Sequence, residues 1–277
     1  ICSGHTLTFD RPRLMGVLNI TPDSFSDGGQ LFQDGEARLD RVRTQALAML
    51  EAGADVLDIG GESSRPGAEA VSEAQELARI APVLEALSDL PCILSVDTYH
   101  PGTARHAVKH GASMINDITG GEDPDMLGVL AESDAAYALM HMQGRPRSMQ
   151  AAPRYDDVVT EVGAFLAERL GRCLQSGIAR NRLMIDPGFG FGKTLEHNLA
   201  LLRSLNQIRV EDRPVLVGLS RKSMLKAITG REVEDRLAGS LALAVLATQG
   251  GADMLRVHDV AETQDALKVL GALATLA

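Results

Sequence analysis

The strongest constraint on this chain is a rhythm. Short β-branched or apolar runs recur at 14–20, 55–61, 92–98, 114–119, 136–142, 183–188, 215–220 and 254–259, and helical spacing fills the intervals. The stretch 36–52 carries Leu39, Val42, Ala46, Met49 and Leu50 on one face, and 158–173 does the same with Val158, Val162, Phe165, Leu166 and Leu170. Glycine-alanine joints at 53–54, 111–112 and 251–252 read as helix C-caps before the next strand. Strands alternating with helices imply parallel pairing through right-handed crossovers. Eight such units in 277 residues predict a single (β/α)8 barrel over 1–277. An open doubly wound sheet is the alternative, but no glycine-rich dinucleotide turn follows the first strand.

Polar residues stand at nearly every predicted strand end: Asn19, Asp58, Asp97, Asn116, His141, Asp186, Ser220, Arg256 and His258. One such residue is ordinarily a cap or a turn former. Eight strand ends with the same habit point to a shared site, because a barrel brings these ends to one face. Ser95 and Asp97 share a strand face, as do Arg256 and His258, since side chains alternate. Asp58 and His141 are the weakest members of the set. Long loops rich in Gly, Pro, Asp and Ser follow strands one and two (19–29 and 60–67), and a third, 186–194, follows strand six. On one barrel face such loops read as lids or binding loops.

Several other chemistries are excluded. The segment 186–194 is not a phosphate-binding P-loop, because Pro187 stands where the motif needs glycine. The segment 218–222 lacks the closing glycine of a nucleophile elbow. His106 and His110 have helical spacing but no metalloprotease glutamate, so they read as a solvated helix face. With 37 acidic against 27 basic residues, the formal net charge of −10 argues against a nucleic-acid or anionic-membrane binder. The three cysteines are odd in number and widely spaced, which suits a reducing compartment and predicts a cytoplasmic protein. No apolar run reaches membrane-span length and no signal peptide is visible at the start.

The runs VLNITPDSFSDG (17–28), GGESSRPG (60–67), SVDT (95–98), INDI (115–118), DPGFGFGK (186–193), SRKS (220–223) and RVH (256–258) resemble the dihydropteroate synthase family. The match runs in order from Leu14 to about Leu270. The resemblance implies a pterin-binding TIM barrel, usually a homodimer, acting as a transferase in folate biosynthesis. Such an enzyme joins 6-hydroxymethyl-7,8-dihydropterin diphosphate to p-aminobenzoate, releases pyrophosphate with the help of Mg²⁺, and is the target of sulfonamides. One departure is Ser64, where the family commonly has threonine.

Carried onto this chain, the resemblance implies four catalytic residues: Asp97, Lys222, Arg256 and His258. The pterin is expected on Asp97, Asn116, Ile118, Met140, Asp186, Lys222 and Arg256. A carboxylate such as Asp186 accepts two adjacent N–H bonds from the pterin edge. The diphosphate is expected on Asn19, Ser64, Arg65, Arg256 and His258, with the Asn19 oxygen also a ligand for Mg²⁺. The p-aminobenzoate is expected among Phe25, Ser64, Pro66, Phe191, Lys222 and Ser223. Its carboxylate is expected at the helix start beside Ser223. The reaction implied is SN1-like, with diphosphate leaving before the neutral arylamine attacks. Two rivals are a pterin-binding methyltransferase working with a corrinoid partner, and an inactive pterin-binding homologue. The chain has no DxHxxG corrinoid signature.

Overall fold

The structure, a computed structural model, describes residues 1–22, 31–33, 35–64 and 67–274. Among these residues eight parallel strands line up in one sheet: β1 (Arg13–Asn19), β2 (Val56–Gly60), β3 (Ile93–Asp97), β4 (Met114–Asp117), β5 (Ala136–Met140), β6 (Leu183–Asp186), β7 (Leu216–Val217) and β8 (Met254–Val257). Their order is β6-β5-β4-β3-β2-β1-β8-β7. A lone parallel bridge from Ile185 to Val215 brings the two edges together, so the sheet is a nearly closed barrel. The helices surround it: α1 (Leu39–Glu51), α2 (Glu73–Leu87), α3 (Pro101–Lys109), α4 (Pro124–Ala131), α5 (Val158–Gln175), α6 (Leu195–Arg203), α7 (Ser223–Thr229), α8 (Leu237–Gln249) and α9 (Val260–Ala274).

The expected rhythm is present, with two local corrections. Helix α1 starts at Leu39, because Glu36–Ala37 pairs antiparallel with Phe32–Gln33 instead. Strand β7 shrinks from the expected 215–220 to two residues, since the chain leaves the sheet to turn beside the site. Gly53, Gly111 and Gly251 each take a left-handed φ near +100° after a helix, the conformation that ends a helix without a Cβ clash.

Side-chain parity sorts the barrel into an interior and a shell. Met15, Val56, Ile93, Met114, Ala136, Ala138, Met184, Leu216 and Met254 pack inside its lower half. The N-terminal segment corks that end, with Cys2 buried and Leu7 and Phe9 packed on the same cluster. The alternate residues, such as Leu14, Leu57, Ile115 and Leu139, face the helices in the larger outer core. Each of these fully buried side chains contributes roughly 1.5–3 kcal/mol. The interior row that begins at Met15, Val56, Ile93 and Met254 continues upward to Asn19, Asp58, Asp97 and Arg256. The apolar floor is therefore built by the same strands that lift polar groups to the upper mouth. Among the described residues no helix is long and apolar enough to cross a membrane.

Candidate active site

Two carboxylates and one guanidinium form the centre of the upper mouth. Arg256 reaches from β8 and donates through Nε to Asp58 Oδ2 at 2.6 Å and through Nη2 to Asp97 Oδ2 at 2.8 Å. Asn116 Nδ2 donates to the same Asp58 oxygen at 3.2 Å. The strand register explains the meeting: Asp58 lies beside Ser95, and Asp97 lies beside Asn116. Asp58 is fully buried, and its Oδ1 finds no hydrogen-bond partner among the described residues. Burial pushes the Asp97 carboxyl up to about 7 against the pull of Arg256. Burial also works against the Arg256 charge, but Asp58 and Asp97 overcome it and raise its pKa.

Asp186 ends β6 across the barrel and is held by the amide of Gly188, which donates to its Oδ1 at 2.7 Å. Burial raises its carboxyl, with Lys222 pulling the other way. Met140 is the β5 register partner of Asp186, and Met140 and Ile118 are both buried. The Lys222 ammonium donates to the carbonyl of Phe189 and stands 4.5 Å from the Phe191 ring centroid. Burial lowers its pKa to about 8, although Asp186 favours its charge.

Asp97, Lys222 and Arg256 border a cleft of about 450 Å³, within the range that holds a small ligand of two or three rings. Asn19, Ser64, Asp97, Phe191, Lys222, Ser223, Arg256 and His258 line it. The structure thus gathers most of the expected set, with Asn116, Asp186, Met140 and Ile118 buried nearby. Phe25, Arg65 and Pro66 lie outside the described residues. His141 is placed differently from the other strand ends. It follows inward-facing Met140, so alternation turns it outward, where its ring packs edge-on against Phe165.

There His141 Nδ1 pairs with Lys193 Nζ at 2.9 Å, and burial lowers its pKa to about 3. Lys193 also donates to the carbonyls of Gly188 and Phe191 at 2.9 and 3.0 Å. The lysine of the false P-loop motif is therefore a buried staple for the third loop. The glycines beside it are required by close approach: a Cβ on Gly188 would run into the His141 carbonyl, and one on Gly192 into that of Gln143.

Sequence reasoning undervalued Asp58, buried beneath the cleft, and passed over several residues around it. Asp58 showed only its strand-end position, and its pairing with Arg256 spans 198 residues of chain. Glu62 accepts from Tyr99 Oη at 2.9 Å, which ties the second loop to the turn after β3. Met149 enters from the long β5–α5 connection, and Arg236 from the start of α8. No motif signalled either one.

The barrel matches known proteins along nearly its whole length. A family model described as pterin binding enzyme covers residues 15–258. The dihydropteroate synthase of Escherichia coli (strain K12) is 47% identical over 270 residues, covering 97% of this chain and 94% of the relative. The chain belongs to the dihydropteroate synthases. Among solved structures, a Yersinia pestis dihydropteroate synthase in complex with a sulfonamide drug superposes with a TM-score of 0.94 at 45% identity, covering 99% of this chain and 98% of that one. A Burkholderia cenocepacia dihydropteroate synthase complexed with 7,8-dihydropteroate gives 0.89 at 43% identity, covering 99% and 96%. Membership in the dihydropteroate synthase family favours condensation over methyl transfer to a corrinoid partner.

Proposed function

We propose that this chain joins 6-hydroxymethyl-7,8-dihydropterin diphosphate to p-aminobenzoate by a dissociative substitution. The observation that carries the reading is the single guanidinium held between Asp58 and Asp97, with Asp186 and Lys222 facing it. Ionised Asp97 presents negative charge at the cleft wall, which favours a cation more than a neutral ring, as transition-state stabilisation requires.

The pterin edge donates to Asp186, with Asn116 beside it and Met140 and Ile118 in apolar contact with the ring. Lys222 donates to the ring. The bond between the pterin methylene carbon and the diphosphate oxygen breaks heterolytically, and the electron pair leaves with pyrophosphate. Asp97 offsets the positive charge on the methylene and ring. The amine lone pair of p-aminobenzoate then forms the new C–N bond, and its extra proton passes to water. An arylamine is unprotonated at neutral pH, so no strong general base is needed.

Phe191, Lys222 and Ser223 offer the benzoate an aromatic wall, a cation and a hydroxyl, with Ser64 also on the cleft wall. Phe25 and Pro66 belong to the same proposed pocket. Asn19, Ser64, Arg65, Arg256 and His258 are assigned to the diphosphate. Sulfonamides would compete for the benzoate pocket.

The donor set suits a Mg²⁺ carried in on the diphosphate. Asn19 offers a hard amide oxygen at the cleft wall. Among the described residues no cluster of three His, Cys, Asp or Glu side chains offers a dedicated cage, and Mg²⁺ commonly uses few protein ligands beside phosphate oxygens. When bound, the ion would neutralise charge on the leaving group. We read 1–277 as one barrel domain that forms homodimers. The unpaired Cys2, Cys92 and Cys173 support a cytoplasmic setting.

The test is pyrophosphate release that depends on both substrates. Asp97→Asn and Arg256→Ala are expected to lower kcat by about 100-fold or more, as loss of a group that stabilises developing charge does. Either variant within a few-fold of wild type would refute its role. Pterin binding without turnover in the wild type would identify an inactive homologue.

A further inference from the structure

The residue between Ser220 and Lys222 is held on every side. Arg221 has φ of +56°, a left-handed conformation that costs a non-glycine residue about 1–2 kcal/mol. Its amide donates to Ser240 Oγ at 2.9 Å, and its carbonyl accepts from Arg236 Nη1 at 2.8 Å. Ser240 and Arg236 are themselves linked, because Ser240 Oγ donates to the Arg236 carbonyl at 2.8 Å. The Arg221 guanidinium donates through Nε and Nη2 to the two oxygens of Asp259 at 2.9 and 2.5 Å. Both side chains of this ion pair are largely shielded, at 18% and 12% exposure.

The consequence of this turn lies on either side of it. Ser220 Oγ accepts the His258 amide at 3.2 Å and meets its Nδ1 at 3.1 Å. Lys222 is directed onto the Phe189 carbonyl and the Phe191 ring, in the loop that follows neighbouring β6. Asp259 follows His258 directly. The end of β8 therefore sends Arg256 and His258 toward the cleft and the next side chain into the neighbouring turn.

We infer that Asp259 is a positioning residue for Lys222, acting through the left-handed Arg221 turn that α8 clamps from behind. A lysine with four methylenes has many rotamers of its own. Fixing its Cα and backbone direction is the means by which a surrounding shell reduces that freedom. The bidentate pair to Asp259 offsets the conformational cost at Arg221, and α8 satisfies the two backbone groups that the turn would otherwise leave unpaired. The inference rests on the proposed contact between Lys222 and the pterin.

The experiment is a double-mutant cycle of wild type, Asp259→Asn, Lys222→Met and the double variant. Its readouts are kcat/KM for the pterin diphosphate, thermal melting, and the rate at which Lys222 is reductively methylated, followed by mass spectrometry. Asp259→Asn is expected to lower kcat/KM about tenfold by misplacing Lys222, and to add nothing in the Lys222→Met background. It is also expected to speed Lys222 methylation severalfold. Arg221→Ala, which keeps the cost of the left-handed φ but removes the pair to Asp259, is expected to show the same pattern and serves if Asp259→Asn does not fold. Equal losses in both lysine backgrounds, or activity within twofold of wild type, would overturn the inference. The methylation rate is independent of turnover. A wild type without condensation activity would sink the functional reading, while an unchanged methylation rate would sink the clamp on its own.

Discussion

Burial moves the two titratable groups at the heart of the cleft toward neutrality from opposite sides. Asp97 is raised to about 7 and Lys222 is lowered to about 8. The proposed chemistry uses Asp97 as a carboxylate and Lys222 as an ammonium. Activity is therefore lost as pH falls through 7, when Asp97 gains a proton, and as it rises through 8, when Lys222 loses one. The expected kcat/KM profile is a narrow bell between these values. Lys222→Met should leave a much lower profile without the basic limb, and a flat wild-type profile from about pH 6 to 9 would contradict both assignments. At this scale the sequence was informative about which residue types stand at strand ends. It could not rank them. Asp58 and His141 looked equally weak, yet one is the buried anchor of Arg256 and the other faces the helices. A one-residue difference in parity separates them.

Among the elements, α2 shows how a loop can be tied to the barrel. Ser72 and Gln75 form a capping box at its start. Glu76, in its first turn, is fully buried and accepts from Thr98 Oγ1 at 2.7 Å. Arg79, one turn on, donates to the Gly61 carbonyl at 2.7 Å. The helix thus joins the second loop to the turn after β3. Desolvation raises the Glu76 carboxyl to about 7 from an ordinary 4.5. The folded state therefore holds a proton that the unfolded chain releases earlier. That contribution is fully present below pH 4.5 and lost as pH rises through 7, at a cost of about 3 kcal/mol by pH 8. Glu76→Gln is expected to raise Tm by several degrees at pH 8 and to change it little near pH 4.5, as measured by calorimetry at the two pH values. A Tm at pH 8 equal to or below that of wild type would show that burial of the charge is not the dominant effect. The sequence analysis gives no role to Glu76, because its burial arises only when α2 packs against the turn after β3.

For the whole molecule, apolar side chains remain uncovered on the outer ring. Ile228 on α7 and Leu246 on α8 are each about half exposed, and Leu199 on neighbouring α6 is 38% exposed. Helix α8 has no charged residue over its 13 positions, whereas α9 carries Glu262, Asp265 and Lys268 along with its exposed Val269 and Leu273. This contrast supports α8 and its neighbours as the face that pairs in the proposed homodimer. Leu246→Glu is expected to shift sedimentation from dimer to monomer, while Val269→Glu leaves the dimer intact. The opposite result would move the interface to α9. The net charge of −10 is compatible with an anionic substrate, because Arg256 and Lys222 are concentrated in one cleft.

The sequence by itself determined the count of βα units, the polar character of the strand ends, and the family. All three depend on local signals: a period of two in strands, a helical period between them, and short motifs read in order. Tertiary structure decided which strand-end groups meet. Arg256 finds Asp58 and Asp97 only because the sheet sets β8 beside β1 and carries β2 and β3 on from β1. The N-terminal cork, the Lys193 staple and the Arg221 clamp are decided the same way. Each joins groups far apart in the chain whose pairing is favourable only after the surrounding core has removed water from both.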